Sequence, residues 1–121
     1  MLKLTNLMWF PEGHKDERRQ ILDITPKIKL FTIADVDGLK LANHYHEKTH
    51  ESFYCLNGRI YFKLENSKTG ERQSYTLEPG QGINIPLFVA HLLLPEKRSS
   101  FLGILETDFD PNDLKKYEIT W

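Results

Sequence analysis

Turn signals recur along this chain at intervals that leave room for strands and for little else. Asp37-Gly38, Asn57-Gly58, Ser67-Lys68-Thr69-Gly70 and Pro79-Gly80 carry hairpin or turn chemistry. Between them lie runs rich in β-branched and aromatic residues: RRQILDI, IKLFTIADV, LKLANHYH, SFYCL, RIYFKLEN, ERQSYTL, GINIP, HLLLP and SFLGILET. Breaks about every 8 to 12 residues predict an antiparallel sandwich or barrel, so the fold class is all-β. Only the tail differs. In DFDPNDLKKYE, Asp110 suits an N-cap, Pro111 the first helical position and Asp113 the first turn, with Lys115 and Lys116 toward the negative end of the dipole. A short C-terminal helix is therefore expected. No repeat, low-complexity stretch or linker divides residues 1–121, which are expected to form a single domain.

Composition narrows the function classes. Sixteen Lys+Arg against seventeen Asp+Glu give a net charge of -1, which provides no electrostatic footprint for nucleic acid. No apolar run approaches the roughly 20 residues of a spanning helix, and the first twenty lack a basic start followed by an apolar core. The single cysteine, Cys55, excludes an internal disulfide framework and fits a reducing, cytoplasmic setting.

Chemistry concentrates in NHYHEKTHESFYCLNG, residues 43–58, which packs three histidines and two glutamates in front of an apolar run. On a strand, residues two apart share a face with Cα atoms roughly 6.5–7 Å apart. His44 and His46 thus project side by side, with Tyr45 facing away. Glu51 opens the return strand, and His91 begins a further strand after PLFVA. Three imidazoles and a carboxylate form a mixed nitrogen and oxygen set suited to a divalent first-row metal. His50 has the opposite parity to Glu51 and is expected at the rim or surface. His14, in PEGHKDERR, is expected to be solvated. Cys55 shares parity with Glu51 and Phe53, as a cavity-lining thiol or a small buried filler.

The spacing Gly38, His44-Tyr45-His46, Glu51, Gly58 matches the first motif of the cupin family, over residues 38–58. Gly80, Pro86 and His91 resemble its second motif, over 80–95, with Phe88 where the family usually has glycine and Pro95 where it often has asparagine. The resemblance implies a double-stranded β-helix, or jelly-roll barrel, with a metal (Mn, Fe, Zn or Ni) held by His44, His46, Glu51 and His91 in its mouth. A looser likeness joins DERRQIL, IKLFTIADVDG, NHYH and FDPNDLKKY to small cupins of surface-polysaccharide biosynthesis, including sugar-nucleotide ketoisomerases and epimerase-related proteins. In those ketoisomerases the paired histidines move protons without a metal. Here Glu51 and His91 complete a metal set, and Arg19 stands where those proteins commonly have glycine.

Three function classes follow. The first is an isomerase or epimerase on a small carbohydrate such as a sugar nucleotide, with His44, His46 and Glu51 as catalytic candidates. The second is a metal-dependent oxygenase or lyase on another small molecule. The third is a non-catalytic sugar-binding or sensing module, because one barrel hosts binding and catalysis alike. Arg59, Tyr61 and Lys63 share a strand face, either solvated or dimer-facing, or else aimed with Phe53 at an anionic substrate. Phe53, Ile85, Phe88 and Leu93 are expected to wall the cavity or pack near it. The N-terminal strands exceed what a minimal barrel needs, so a homodimer that covers their edge is expected.

Overall fold

The computed structural model describes residues 4–121. Its strands form two antiparallel sheets packed face to face. The six-stranded sheet runs β1 (Gly13–Lys15), β2 (Arg19–Thr25), β3 (Ile28–Ile33), β10 (Ser100–Leu105), β5 (Glu51–Asn57), β8 (Gly82–Ile85). The five-stranded sheet runs β11 (Lys115–Lys116), β4 (Leu41–Tyr45), β9 (Val89–Pro95), β6 (Ile60–Asn66), β7 (Arg72–Leu77). The expected all-β jelly-roll architecture is present. Consecutive strands repeatedly cross between the sheets, so β4 and β5 face one another across the core although only a short loop joins them.

Period-two patterning decides which side of each strand is buried. On β6, Ile60, Phe62 and Leu64 are buried while Tyr61 is exposed. On β5, Phe53 and Cys55 are buried while Tyr54 and Leu56 are exposed. These inner faces meet in one cluster with Ile33, Leu77, Ile85, Leu93 and Phe101, and Phe101 stacks on Phe31 at 4.6 Å between centroids. Each large side chain withdrawn from water contributes about 1.5–3 kcal/mol before entropy opposes it. Cys55 is a filler of this core, with Sγ 3.4 Å from the Gly58 carbonyl and its thiol pKa raised by burial.

Two turns show why their residues matter. Gly58 has φ +76°, and a Cβ there would stand 2.7 Å from Cβ of Ser99, so both conformation and space require glycine. Phe88, at the position where the cupin pattern has glycine, retains the left-handed backbone at φ +66°. Its ring turns outward, under Lys68 Nζ at 3.8 Å and 6.2 Å from Tyr45, so it does not wall the cavity.

The C-terminal helix is reduced to one 3-10 turn, Pro111–Asp113. Asp110 caps it as expected, accepting the Asn112 N–H at 2.9 Å, but the chain beyond is extended. The reason lies in Tyr117, Ile119 and Trp121, whose spacing of two residues suits a strand. They pack on Ala90 and Leu92, on the outer face of β9. Asn43 secures this tail twice, its carbonyl accepting the Tyr117 N–H and its side chain the Ile119 N–H, each at 3.1 Å. Glu65 adds a polar latch. It accepts from Arg72 Nε at 2.7 Å and from the Tyr117 hydroxyl, while Lys63 donates to the Trp121 carbonyl.

Candidate metal centre

The centre forms where the two sheets face each other at one end of the barrel. His91 is the third residue of β9, which begins two residues earlier than the sequence suggested. It is fully buried, and lies between Leu64 of β6 and His44 of β4 in the sheet register. β4 carries an irregularity between Ala42 and His44, with both Ala42 (φ +69°) and Asn43 (φ +63°) left-handed. His46 lies one residue past the end of β4, where its carbonyl accepts the Phe88 N–H at 2.8 Å. Glu51 opens β5 in the opposite sheet and reaches across.

These four side chains converge. The centroids of His44 lie 5.0 Å from His46 and 4.7 Å from His91. Glu51 Oε1 stands 3.2 Å from both His46 Nε2 and His91 Nε2. His91 Nδ1 lies 3.3 Å from the Val89 carbonyl, which leaves Nε2 as the atom turned to the cluster. That Nε2 is buried and, despite its distance to Glu51, lacks hydrogen-bond geometry to any described residue. One ligand atom from each of His44, His46, Glu51 and His91 lies within 4.8 Å of all the others. Donors at opposite ends of one coordination sphere stand about 4.4 Å apart at most, given bonds of about 2.0–2.2 Å. The set needs only a slight contraction to hold an ion, and the orphaned buried nitrogen is what such an ion would satisfy. The residues fit a divalent metal.

Asp113, in the 3-10 turn, is an outer support that the sequence did not reveal. Its carboxylate accepts the backbone N–H groups of Glu47 and Lys48 at 3.0 and 3.3 Å and stands 3.6 Å from His46 Nδ1. Such a carboxylate orients a ligating imidazole. The electrostatics without an ion reflect crowding. Burial, then the charges of His91 and His46, push His44 down to about 3. Burial opposes charge on His46 too, but Glu51 and then Asp113 outweigh it and raise the imidazole. Burial likewise favours neutral Glu51, yet the His46 and His91 imidazoles hold the carboxyl at about 2.

A cavity of about 300 Å³ opens onto the cluster, lined by His44, His46 and Glu51 and walled by Phe31, Phe53 and Leu93 among others. Phe53 and Leu93 thus stand where expected, and Ile85 packs in the adjoining core. Arg59, Tyr61 and Lys63 do not reach it. Ile60, Phe62 and Leu64 occupy the inner face, so the alternate residues turn outward: Arg59 pairs with Glu96 at 3.1 Å and Lys63 joins the tail. The cations lining the cavity are instead Arg19 and Lys29. Arg19 shares parity with Ile21 in RRQILDI, but nothing local tied that strand to the mouth. His50 is exposed at 3.5 Å from Glu106, and His14 is exposed at 2.8 Å from Asp16, both as expected.

No family model matches the chain, and no curated protein matches it. Solved structures do. The capsular polysaccharide assembling protein CapF from Staphylococcus aureus is similar over 98% of this chain, with a TM-score of 0.79 and 19% identity. This chain spans about a third (34%) of CapF. The 3,4-ketoisomerase QdtA from Thermoanaerobacterium thermosaccharolyticum matches over 87% of this chain and 82% of its own, at TM-score 0.66 and 22% identity. Drosophila melanogaster CENP-C bound to CAL1 matches over 78% of this chain and 76% of its own, at TM-score 0.65 and 8% identity. At such identities the likeness establishes the fold, a cupin-like jelly roll that other chains carry with unlike partners.

Proposed function

We propose that this chain is a metal-binding cupin that acts as an isomerase or epimerase on a small carbohydrate such as a sugar nucleotide. The observation that carries the reading is the convergence of His44, His46, Glu51 and His91 within 4.8 Å, beside a cavity sized for a small ligand. The likeness to QdtA, a 3,4-ketoisomerase seen in complex with TDP-4-keto-6-deoxyglucose, supports the substrate class. A divalent ion held by these four residues would supply Lewis-acid stabilisation to an oxygen that gains charge. The chain's own part is proton movement. A proton leaves the carbon beside a ketone, the C–H pair forms the enediol double bond, and the carbonyl π pair moves to its oxygen, which gains a proton. A proton then returns to the former carbonyl carbon as the other hydroxyl loses its own (isomerisation), or to the opposite face of the first carbon as the ketone re-forms (epimerisation). Without the ion, His44 or His46 is the carrier; with it bound, both imidazoles are taken as ligands and Glu51 is the carrier left, in a cavity walled by Phe31, Phe53 and Leu93.

The test is solvent deuterium incorporation into TDP- and UDP-linked keto-sugars, followed by NMR with and without chelator. Exchange that His46→Ala abolishes is the expected result. No exchange across the panel, with metal present and absent, would reject the isomerase reading and leave the oxygenase or binding-module classes.

We also propose that the protein pairs as a homodimer. The six-stranded sheet exposes Ile24, Tyr54 and Leu56, while Leu7, Met8, Trp9 and Phe10 project into solvent. Apolar surface of this extent marks an interface. Light scattering at micromolar concentration should give twice the chain mass; a monomer rejects the pairing.

A further inference from the structure

Arg19 opens β2 with its backbone fixed on both sides. Its N–H donates to Asp16 Oδ1 at 3.1 Å, and its carbonyl accepts the Asp16 N–H at 3.0 Å. Its side chain lines the cavity that His44, His46 and Glu51 also line. There Nε is buried with no hydrogen-bond partner among the described residues. Leaving a buried donor unmatched costs on the order of 1–3 kcal/mol, more when the group is charged. The position is anomalous unless a ligand supplies the acceptor.

The neighbouring carboxylates are already engaged. Asp16 contacts the His14 ring at 2.8 Å, the Arg18 guanidinium at 3.3 Å, and the backbone N–H groups of Arg18 and Arg19. Glu51 is taken by His46 and His91. Asp23 pairs at 3.3 Å with Lys29, the other cation lining the cavity, whose ammonium also sits 4.4 Å over the Phe109 ring. Against these engaged groups, Arg19 brings an unmatched positive charge, in a fork suited to gripping two oxygens at once.

We infer that Arg19 anchors an oxyanion, a carboxylate or a phosphate, on the ligand of this cavity. The inference rests on the reading that this cavity is the substrate site. At about 300 Å³ the cavity is at the small end for ligand sites, so the anionic group and the carbon facing the histidines belong to one compact moiety. Arg19 is then a specificity-determining contact that separates charged sugars from neutral ones.

Calorimetry on the full, metal-loaded chain tests this with three probes: glucose, glucuronate and glucose 1-phosphate. The wild type should bind at least one charged sugar about tenfold or more tighter than glucose, the scale of a charge-assisted hydrogen bond. Which one it prefers identifies the oxyanion. Arg19→Met should erase the preference and Arg19→Lys restore part of it, with metal content unchanged in both. The thermal midpoint should hold or rise in Arg19→Met, since a buried donor without a partner is removed. No preference in the wild type, or a preference that survives Arg19→Met, overturns the anchor. The isomerase reading fails separately: absent deuterium exchange would leave a charged-sugar preference intact, whereas exchange with an unchanged KM in Arg19→Met would remove the anchor alone.

Discussion

Glu51 on β5 and Glu65 on β6 are both withdrawn from solvent, with side chains 12% and 10% exposed, yet their surroundings differ in kind. Glu65 faces outward, and each of its oxygens has a donor, Arg72 Nε on one and the Tyr117 hydroxyl on the other. Glu51 faces inward, where one oxygen stands 3.2 Å from two imidazole nitrogens while His46 Nδ1 and His91 Nε2 go unmatched. A saturated carboxylate ties chain segments together. An under-satisfied cluster holds several donors ready for one missing partner. Trp121 Nε1 also lacks a hydrogen-bond partner, but it is a neutral donor whose neighbours Lys63 and Arg72 are already engaged in the Glu65 latch.

The largest expected effect breaks this comparison at its centre. Glu51→Gln should weaken metal binding by at least about 100-fold, the upper end of what losing even an outer support costs, while the metal-free protein stays folded. Glu65→Gln should leave metal binding unchanged and lower stability by about 1–3 kcal/mol, through the unmatched donors it leaves. Competitive chelator titration and urea melts of both variants measure the two effects. Equal loss of metal in both would mean that saturation does not separate a latch from a site.

Asp113 sharpens the contrast, because it stands between the two roles. Asp113→Asn keeps an acceptor for only one of the Glu47 and Lys48 N–H groups, which bond different oxygens, and removes the charge 3.6 Å from His46 Nδ1. Metal affinity should fall about tenfold, with the His46 ¹⁵N resonances shifting and the thermal midpoint falling modestly for the one hydrogen bond lost. A lowered midpoint with unchanged affinity would assign Asp113 to loop structure alone.

The cluster was legible in the sequence because three of its four side chains, His44, His46 and Glu51, lie within eight residues of one another. The His44-Tyr45-His46 spacing and the turn at Asn57-Gly58 survive in any register that buries Phe53 and Phe62. Even so, His46 meets the others from beyond the end of β4, and the left-handed pair Ala42-Asn43 lies in the strand just before His44. Arg19 and Asp113 escaped because their roles depend on residues distant in sequence: Arg19 shares a cavity wall with His46 across 27 residues (46−19), and Asp113 stands 3.6 Å from His46 Nδ1 across 67 (113−46). The tail was misread for a different reason. Asp110 and Pro111 are sound helix-start signals, but they describe only one turn, and the alternation of Tyr117, Ile119 and Trp121 carried the opposite message. Packing on Ala90 and Leu92 decided in favour of the alternation.

The smallest effect concerns pH and falls on the latch. The Tyr117 hydroxyl first, then the Arg72 guanidinium, holds the Glu65 carboxyl below its ordinary 4.5, against the opposing effect of burial. The same hydrogen bond pushes the Tyr117 phenol above its ordinary 10. A carboxyl depressed on folding stabilises the native state above 4.5 and loses that contribution as pH falls through its folded value. A phenol raised on folding stabilises below 10 and loses its contribution as pH rises through the folded value. The latch should therefore be strongest between about 4.5 and 10 and weaken on either side. Thermal midpoints of the wild type and Glu65→Gln, taken from acid to alkali, should differ most inside that window and converge outside it. A constant difference would mean that the latch works by packing rather than charge. Because Tyr117 and Ile119 are tied to Asn43, beside His44, a loosened tail should also be read at the metal centre. The ring resonances of His44 should move with the latch at alkaline pH in the wild type and not in Tyr117→Phe.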